Sequence, residues 1–576
     1  QIVHRCYTLG MASQLSAAAQ RRLERWRSAP HLTEHRAELE AFLARASSAE
    51  VEDAFAADLP FGTAGRRGPE GVGPNRINAR TIAESAAGLA CLRPTLAVVG
   101  CDGRRHSREY ARISAEVLLA AGARVELFAE PCATPQLAYR AATVGAGAAV
   151  MITASHNPAD NNGFKAYGAH GGQLVPPDDR AVMAAVLSVA DQPIARLPLE
   201  TALADGRARW LTAADDDAYL AYVAAQAGAG PRACSLVFSA LHGVGGRTVP
   251  AVLGRAGFPP PTLVASQAAV SPEFETLPDG IANPESPEAL AALIDRCREL
   301  DADAGLAADP DADRVGMVAR DPAAPGGYRF LRGHELAALI AHQSIVSRAR
   351  DGRLPAGSVV LRSVVGSRFV DAVAAEYGVR VVGDLPIGFK WCGELQAAGL
   401  DDAHFVAALD ESHGFNRGAL VRDKDAASAA LALAELVAEC RAAGQTVSDR
   451  LAELQRRYGA RSEWVFGRRV DERASLERMV DQLRGHLPTE LLGRRVTRVA
   501  DRLNDPWTSS VSHLSVPENF ILLELAGDAR LGPALIGLRP SGTEPKLKIY
   551  VLVEAGADAA AAESFAQSVP DALLTM

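Results

Sequence analysis

The side chains best suited to chemistry fall in a few short polar stretches, most of them directly after an apolar run. Met151–Lys165 reads Met-Ile-Thr-Ala-Ser-His-Asn-Pro-Ala-Asp-Asn-Asn-Gly-Phe-Lys, and it presents the hydroxyl of Ser155, the imidazole of His156 and the amine of Lys165. Asp309-Pro-Asp-Ala-Asp-Arg314 carries three carboxylates at alternate positions, followed by a cation. On extended backbone Asp309, Asp311 and Asp313 point to one side. Like charges packed together repel unless a cation sits among them. Hard oxygen donors in this number suit Mg²⁺, which keeps positions open for water or a phosphate oxygen. Asp410-Glu-Ser-His-Gly414 offers carboxylate, hydroxyl and imidazole groups of the kind that bind sugar hydroxyls. Arg539-Pro-Ser-Gly-Thr-Glu-Pro-Lys546 combines an arginine fork, hydroxyls, a backbone freed by glycine and a lysine, which together make a compact anion cradle. Two further stretches hold cations in loops. They are Leu59–Gly68, with Arg66, Arg67 and three glycines, and Leu385–Trp391, with Lys390.

These stretches must be positioned by the elements around them. Ala148–Ile152 is a short continuous apolar run, the profile of a buried parallel strand. Ser155 therefore stands just past the carboxyl end of a strand, where open α/β sheets place their chemistry. Similar runs at Leu96–Gly100, Arg124–Phe128, Leu236–Ser239, Ala304–Ala308, Val359–Val364 and Phe405–Leu409 alternate with helical patterns, which predicts parallel, doubly wound sheets. Asn161-Asn-Gly163 reads as a second turn, and Gln14–Ser48 as one or two amphipathic helices. Pro176–Ala214 turns polar and Pro-rich, which suits a crossing between domains. From about Leu454 the character changes, and Phe520–Leu525 with Ala534–Leu538 reads as an antiparallel pair. Domains are expected over 11–205, 206–322, 323–453 and 454–576, in keeping with a 576-residue chain.

Composition sets further bounds. A net charge of −9 and the lack of a long Lys/Arg block argue against broad nucleic-acid binding. Any anionic ligand needs a locally positive site. The eight cysteines are scattered, with no Cys-x-x-Cys pair, which favours reduced thiols and a cytoplasmic setting. No apolar run reaches the ~18 residues of a membrane span, so no membrane partner is expected. Residues 1–10 fit neither a secretion signal nor a core element, and Met11 reads as a natural start.

Taken together, the stretches resemble the α-D-phosphohexomutase superfamily. Thr153–Pro158 with Asn162–Lys165 is similar to its phosphoserine loop, Asp309–Arg314 to its metal loop, Asp410–Gly414 to its sugar-specificity loop and Arg539–Lys546 to its phosphate loop. The order and separations match along about residues 45–555, and Phe61–Gly68, Gly388–Trp391 and Val421–Asp425 are most similar to the phosphoglucomutase/phosphopentomutase branch. The resemblance implies three related α/β domains and a smaller TATA-box-binding-protein-like α+β domain around a central cleft. It implies a phosphosugar mutase acting between the 1- and 6-positions of glucose or mannose phosphate. Ser155 would carry the phosphoryl group and, with Asp309, Asp311 and Asp313, would hold Mg²⁺. His156, Lys165, Arg314 and Lys390 would assist near the reacting phosphate. Arg67, Arg104, Asp410, Glu411, Ser412, Arg539, Ser541, Gly542, Thr543 and Lys546 would bind substrate. A sugar 1,6-bisphosphate would be the intermediate and activator, and the enzyme a monomer or dimer.

One departure concerns the sugar. Many relatives open the specificity loop with Glu-x-Ser, whereas this chain has Asp410 there, one methylene shorter, and His413 lies one place earlier than a closing His in some branches. A phosphopentomutase and a sugar-bisphosphate synthase are the alternatives within the fold. A non-catalytic sugar-phosphate sensor has no need of Ser155 or its aspartates, and a plain phosphatase requires water to reach phospho-Ser155.

Overall fold

The computed structural model describes residues 15–62, 65–469, 473–508, 515–540 and 546–574. They divide into two compact units, one formed by the described residues up to Asp216 with Ser271–Ala282 and the other by those of Asp217–Val270 and from Asn283 on.

The first unit begins with the helices Ala17–Ser28, Arg36–Leu43 and Ser48–Phe55, which bury a small core of Leu23, Trp26, Leu39 and Phe55. Ser47 and Glu50 close a reciprocal capping box on the third of these. A seven-stranded sheet follows. Its strands are β1 (Phe61–Gly62), β2 (Gly65–Pro69), β3 (Leu96–Cys101), β4 (Arg124–Phe128), β5 (Ala148–Ile152), β6 (Asn161–Tyr167) and β7 (Ala208–Leu211), in the spatial order β1-β2-β6-β5-β3-β4-β7. The neighbours β5, β3, β4 and β7 are parallel. All five residues of β5 are buried, as a strand covered on both faces requires. The remaining neighbours are antiparallel, with β6 beside β5, β2 beside β6 and β1 beside β2. Asn161–Gly163, expected as a turn, is thus the start of a strand. Ser155 lies in the connection between two antiparallel neighbours.

The second unit contains the sheet β12-β11-β10-β8-β9, made from β8 (Leu236–Ser239), β9 (Thr262–Leu263), β10 (Ala304–Ala308), β11 (Val315–Arg320) and β12 (Tyr328–Leu331). The next sheet, β14-β13-β15-β16, comprises β13 (Val359–Ser363), β14 (Arg380–Leu385), β15 (Phe405–Leu409) and β16 (Phe415–Asn416). The last large sheet runs β17-β24-β23-β22-β19-β18 and is antiparallel throughout. Its strands are β17 (Arg461–Arg469), β18 (Glu490–Leu491), β19 (Arg494–Asp501), β22 (Ile521–Leu525), β23 (Ala534–Pro540) and β24 (Lys546–Glu554); a separate pair is formed by β20 (Trp507–Thr508) and β21 (Ser515–Val516). The alternation within β22–β24 serves two cores. Leu523, Ile536 and Val551 pack with Val480 and Val569 of the helices Arg473–Gly485 and Ala559–Leu574. Leu522, Leu535 and Tyr550 face Val365 and Ile387 of the preceding domain. Among the described residues no helix is long and apolar enough to cross a membrane.

The expected domain limits fall short of the elements. Strand β7 completes the first sheet beyond residue 205, β12 completes the second beyond 322, and the helix Val447–Tyr458 straddles 453. A shift in composition does not reveal edge strands as short as the four residues of β7 and β12.

Candidate active site

In the first unit, Ser155 has a left-handed backbone (φ +54°) and its amide donates to Thr153 Oγ1 at 2.8 Å. That conformation lifts the residue out of the strand direction at a cost other side chains rarely meet. Its hydroxyl lies 3.4 Å from His156 Nδ1. Arg104, read from sequence as a substrate ligand, instead holds this loop. Its guanidinium donates to the carbonyls of Ser155 and Asn157 at 2.6 Å, Pro158 at 2.7 Å and Asn161 at 2.9 Å. Asp102 pairs with Arg104 at 3.3 Å and also accepts from Ser107 Oγ at 2.8 Å. Asn162 joins the network by donating to Ser107 Oγ and to the carbonyl of Arg105. The Phe274 ring lies 5.0 Å from the Arg104 guanidinium carbon. Phe274 belongs to Ser271–Ala282, a segment that also accepts the Ala159 amide at Gly280 and pairs Glu273 with Arg105.

Lys165 is fully buried in β6, opposite Met151 of β5, with its amine 3.5 Å from Thr134 Oγ1. Half-buried Arg67 lies opposite Gly163, where a side-chain carbon would sit 2.8 Å from Arg67 Cγ. Its neighbour Arg66 is structural, buried against Glu84 and the carbonyls of Leu59 and Thr81.

In the second unit, Asp309, Asp311 and Asp313 are 0–1% exposed, and one carboxylate oxygen from each lies within 4.8 Å of the others. They converge through a tight turn between β10 and β11 rather than through strand alternation. Ala312 is left-handed (φ +53°), and Asp309 Oδ1 accepts the amides of Asp313 and Arg314, each at 3.0 Å. Gly243 packs onto this turn, since a side-chain carbon there would lie 2.3 Å from Pro310 Cα. Arg314 pairs with Glu285 and reaches Asp313 at 3.8 Å. Burial pulls its pKa down, but Glu285 and Asp313 outweigh this and the net shift is upward.

The specificity loop is tied to the same turn. Arg314 and Gly414 form an antiparallel bridge, the amide of Val315 donates to His413 O at 3.1 Å, and His413 Nδ1 lies 3.1 Å from Val315 O. His413 also stacks on Phe330, which makes it a packing residue. Burial pushes the Asp410 carboxyl up to about 7, with the neighbouring Glu411 adding to the rise and Arg314 and Lys424 opposing it. Asp410 accepts the Ser412 amide, and Glu411 accepts Ser363 Oγ at 3.1 Å. Glu411 and His413 line a cavity of about 630 Å³ together with Arg332, His334, Glu463 and Trp464.

Lys390 opens the helix Lys390–Ala397 and is 8% exposed. Half-buried Glu518 pairs with Arg539 at 2.8 Å. Its pKa is raised by burial, against the attraction of Arg539 and then Lys390. Arg539 is paired with this carboxylate and Lys390 acts on it through its charge, while Lys546 begins β24 beside Gly467. Ser541, Gly542 and Thr543 lie outside the described residues.

Sequence reasoning missed Asp102, Phe274 and Lys424. Lys424 bridges Asp313 at 3.0 Å and Asp423 at 3.3 Å. A signal for it was present. Of the 60 basic residues only Lys165, Lys390, Lys424, Lys546 and Lys548 are lysines, and the first four stand in the motifs singled out above. A chain that otherwise uses arginine keeps lysine where a compact, movable charge is useful.

Three α/β domains, a terminal antiparallel sheet, a strained serine loop and a buried carboxylate triad define the α-D-phosphohexomutase architecture. Models of phosphoglucomutase/phosphomannomutase α/β/α domains I, II and III match residues 58–192, 217–324 and 332–458. A phosphoglucomutase of Staphylococcus epidermidis is 31% identical over 519 residues, covering 88% of this chain and 92% of that one. One of Staphylococcus aureus is 30% identical over 529 residues, with the same coverage of 88% and 92%. The open form of the Paramecium phosphoglucomutase parafusin superposes with a TM-score of 0.66 at 18% identity, covering 89% of this chain and 93% of that one. A phosphoglucomutase/phosphomannomutase family protein of Burkholderia thailandensis gives 0.63 at 19% identity, covering 90% and 97%, a likeness of fold. The chain belongs to the phosphoglucomutase/phosphomannomutase family.

Proposed function

We propose that this chain is a hexose-phosphate mutase, an intramolecular phosphotransferase that moves a phosphoryl group between the 1- and 6-positions of glucose or mannose phosphate. The observation that carries the reading is the loop around Ser155, whose backbone is strained and whose carbonyls are fixed by a buried arginine. A carrier that both gives and receives a phosphoryl group must present its oxygen reproducibly, and this loop is built to do so. Ser155 gives its phosphoryl group to a sugar monophosphate, a bisphosphate forms and turns around, and the original phosphate returns to Ser155. His156 lies beside the hydroxyl and can accept or return its proton.

Asp309, Asp311 and Asp313 fit a hard divalent cation, since three buried carboxylates within 4.8 Å of one another need positive charge between them. Mg²⁺ held there supplies electrostatic stabilisation of the transferring phosphoryl group. Arg314 places a lasting positive charge beside Asp313. Asp410, Glu411 and Ser412 orient the sugar hydroxyls. Arg67, Arg539, Lys390 and Lys546, with Ser541, Gly542 and Thr543, bind phosphate groups. Arg104 acts through the Ser155 loop and is a positioning residue.

The relatives at 30–31% identity are phosphoglucomutases, which favours a hexose over a pentose. The scattered thiols, buried at Cys101, Cys132, Cys297, Cys392 and Cys440, fit a reducing, cytoplasmic setting. A coupled assay over glucose 1-phosphate, mannose 1-phosphate and ribose 1-phosphate, each with its bisphosphate as activator, tests the reading. Isomerisation of a hexose phosphate is expected. Release of inorganic phosphate without isomerisation would replace the mutase by a phosphatase.

A further inference from the structure

The Lys424 side chain is 10% exposed, and its ammonium lies 3.0 Å from Asp313 Oδ2 and 3.3 Å from Asp423 Oδ1. Both carboxylates are buried, with side chains 1% and 0% exposed. The lysine stem reaches them past Gly414, where a side-chain carbon would sit 2.0 Å from Lys424 Cδ. Two residues further on, the amide of Ala426 donates to the carbonyl of Ala312 at 3.2 Å, which ties the lysine-bearing segment to the carboxylate turn. The Phe389 ring stands 5.8 Å from the ammonium.

A triad of buried carboxylates is costly to assemble without positive charge, because mutual repulsion adds to desolvation. Arg314 shares its charge between Glu285 and Asp313 and comes no closer than 3.8 Å to the latter. Lys424 is in direct contact with Asp313. An ammonium on a flexible stem can give up one acceptor and keep another, which a planar guanidinium fork does poorly. Asp423 supplies that second acceptor on the lysine's own chain neighbour.

We propose that Lys424 is a resident counter-ion of the carboxylate triad, which neutralises Asp313 in the metal-free enzyme and withdraws to Asp423 when a divalent cation binds. This rests on the reading of Asp309, Asp311 and Asp313 as the metal site. Lys424 keeps the turn assembled before metal arrives, at the cost of weaker metal binding. It is a positioning residue for Asp313.

The test uses the full chain and Mg²⁺ alone, without substrate. Calorimetric titration compares the wild type with Lys424→Met, and thermal unfolding is followed in EDTA and in saturating Mg²⁺. Removing a like charge from beside the cation is expected to tighten Mg²⁺ binding about tenfold. The variant is expected to unfold at a lower temperature than the wild type in EDTA, with the gap narrowing in Mg²⁺. Unchanged or weaker Mg²⁺ affinity overturns the proposal, as does a loss of stability that Mg²⁺ leaves unaltered. If Lys424→Met does not fold, lysine-selective ¹³Cε labelling of the wild type gives five signals, one for each lysine. The Lys424 signal, assigned through Lys424→Arg, must then shift on Mg²⁺ titration, and a stationary signal refutes the exchange. A wild type that binds no Mg²⁺ removes the metal-site reading and the proposal with it, whereas a wild type that binds while the variant gains nothing removes the proposal alone.

Discussion

Arg104 Nη2 lies 2.6 Å from the carbonyl oxygen of Ser155, and the same guanidinium spans the carbonyls of Asn157, Pro158 and Asn161. A single side chain thus fixes the loop from Ser155 to Asn161. Lysine in its place keeps the charge but cannot serve four acceptors in a plane. Arg104→Lys is expected to lower kcat roughly 10- to 100-fold, the usual penalty for about 1 Å of misplacement, while KM changes far less. Steady-state kinetics settle the point, and a change confined to KM would return Arg104 to substrate binding.

Ser155→Ala is expected to reduce turnover at least about 10³-fold while the fold is retained. Incubation with a radiolabelled hexose 1,6-bisphosphate should leave covalent label on the wild type and none on the variant. Persistent label on Ser155→Ala would move the carrier to another residue.

Asp410 is held protonated further up the pH scale than an ordinary carboxyl, first by burial and then by Glu411. The folded-state pKa of about 7 lies above the 3.8 of an ordinary aspartate. Its contribution to stability is therefore fully present below the unfolded value and is lost as the pH rises towards and through the folded one. Asp410→Asn cannot ionise. Its melting temperature relative to the wild type is expected to climb between about pH 4 and pH 7 and to level off above that. A difference that stays flat across this window would show that Asp410 is not buried as a neutral acid.

Asp425 caps the helix Ala426–Ala442, accepting the amides of Ala427 at 2.9 Å and Ser428 at 3.1 Å, and it also accepts the Tyr219 hydroxyl at 2.8 Å. Asp425→Ala removes a cap worth about 1 kcal/mol and strands a buried hydroxyl at about 1–3 kcal/mol. A total loss of roughly 2–4 kcal/mol is expected in urea unfolding. Adding Tyr219→Phe to Asp425→Ala should recover part of the loss, because the stranded donor is then gone.

The central strands β5, β10 and β15 were legible because burial on both faces leaves an unbroken apolar run, and they begin and end, as do β4 and β8, at the residues read from sequence. The antiparallel additions were not legible. Strand β6 opens with Asn-Asn-Gly and β2 reads Gly-Arg-Arg-Gly-Pro, so both carry turn and charge signals where a strand is formed. The three aspartates stood out in the sequence, but for a reason the structure replaces, since a left-handed Ala312 and the hydrogen bonds that the amides of Asp313 and Arg314 donate to Asp309 bring them together. Arg66 and Arg104 show the limit at single residues. Both are arginines in loop-like sequence, and only tertiary placement separates a charge spent inside the protein from one left for a ligand. Lys424 and Phe274 lie far along the chain from the carboxylates and the serine they serve.

The bridge between Arg314 and Gly414 carries a consequence for how sugar preference can diverge. The backbone that holds the third aspartate and the backbone of Asp410–Gly414, proposed to carry the sugar-orienting side chains, share hydrogen bonds, so the two loops form one mechanical part rather than two interchangeable modules. Transplanting a foreign specificity loop at Asp410–Gly414 would disturb Val315 and the carboxylate turn with it. New preferences are then more readily acquired by exchanging side chains at Asp410, Glu411 and Ser412 than by altering the length of the loop, a constraint on lineage drift that a sequence comparison of the loop by itself does not reveal.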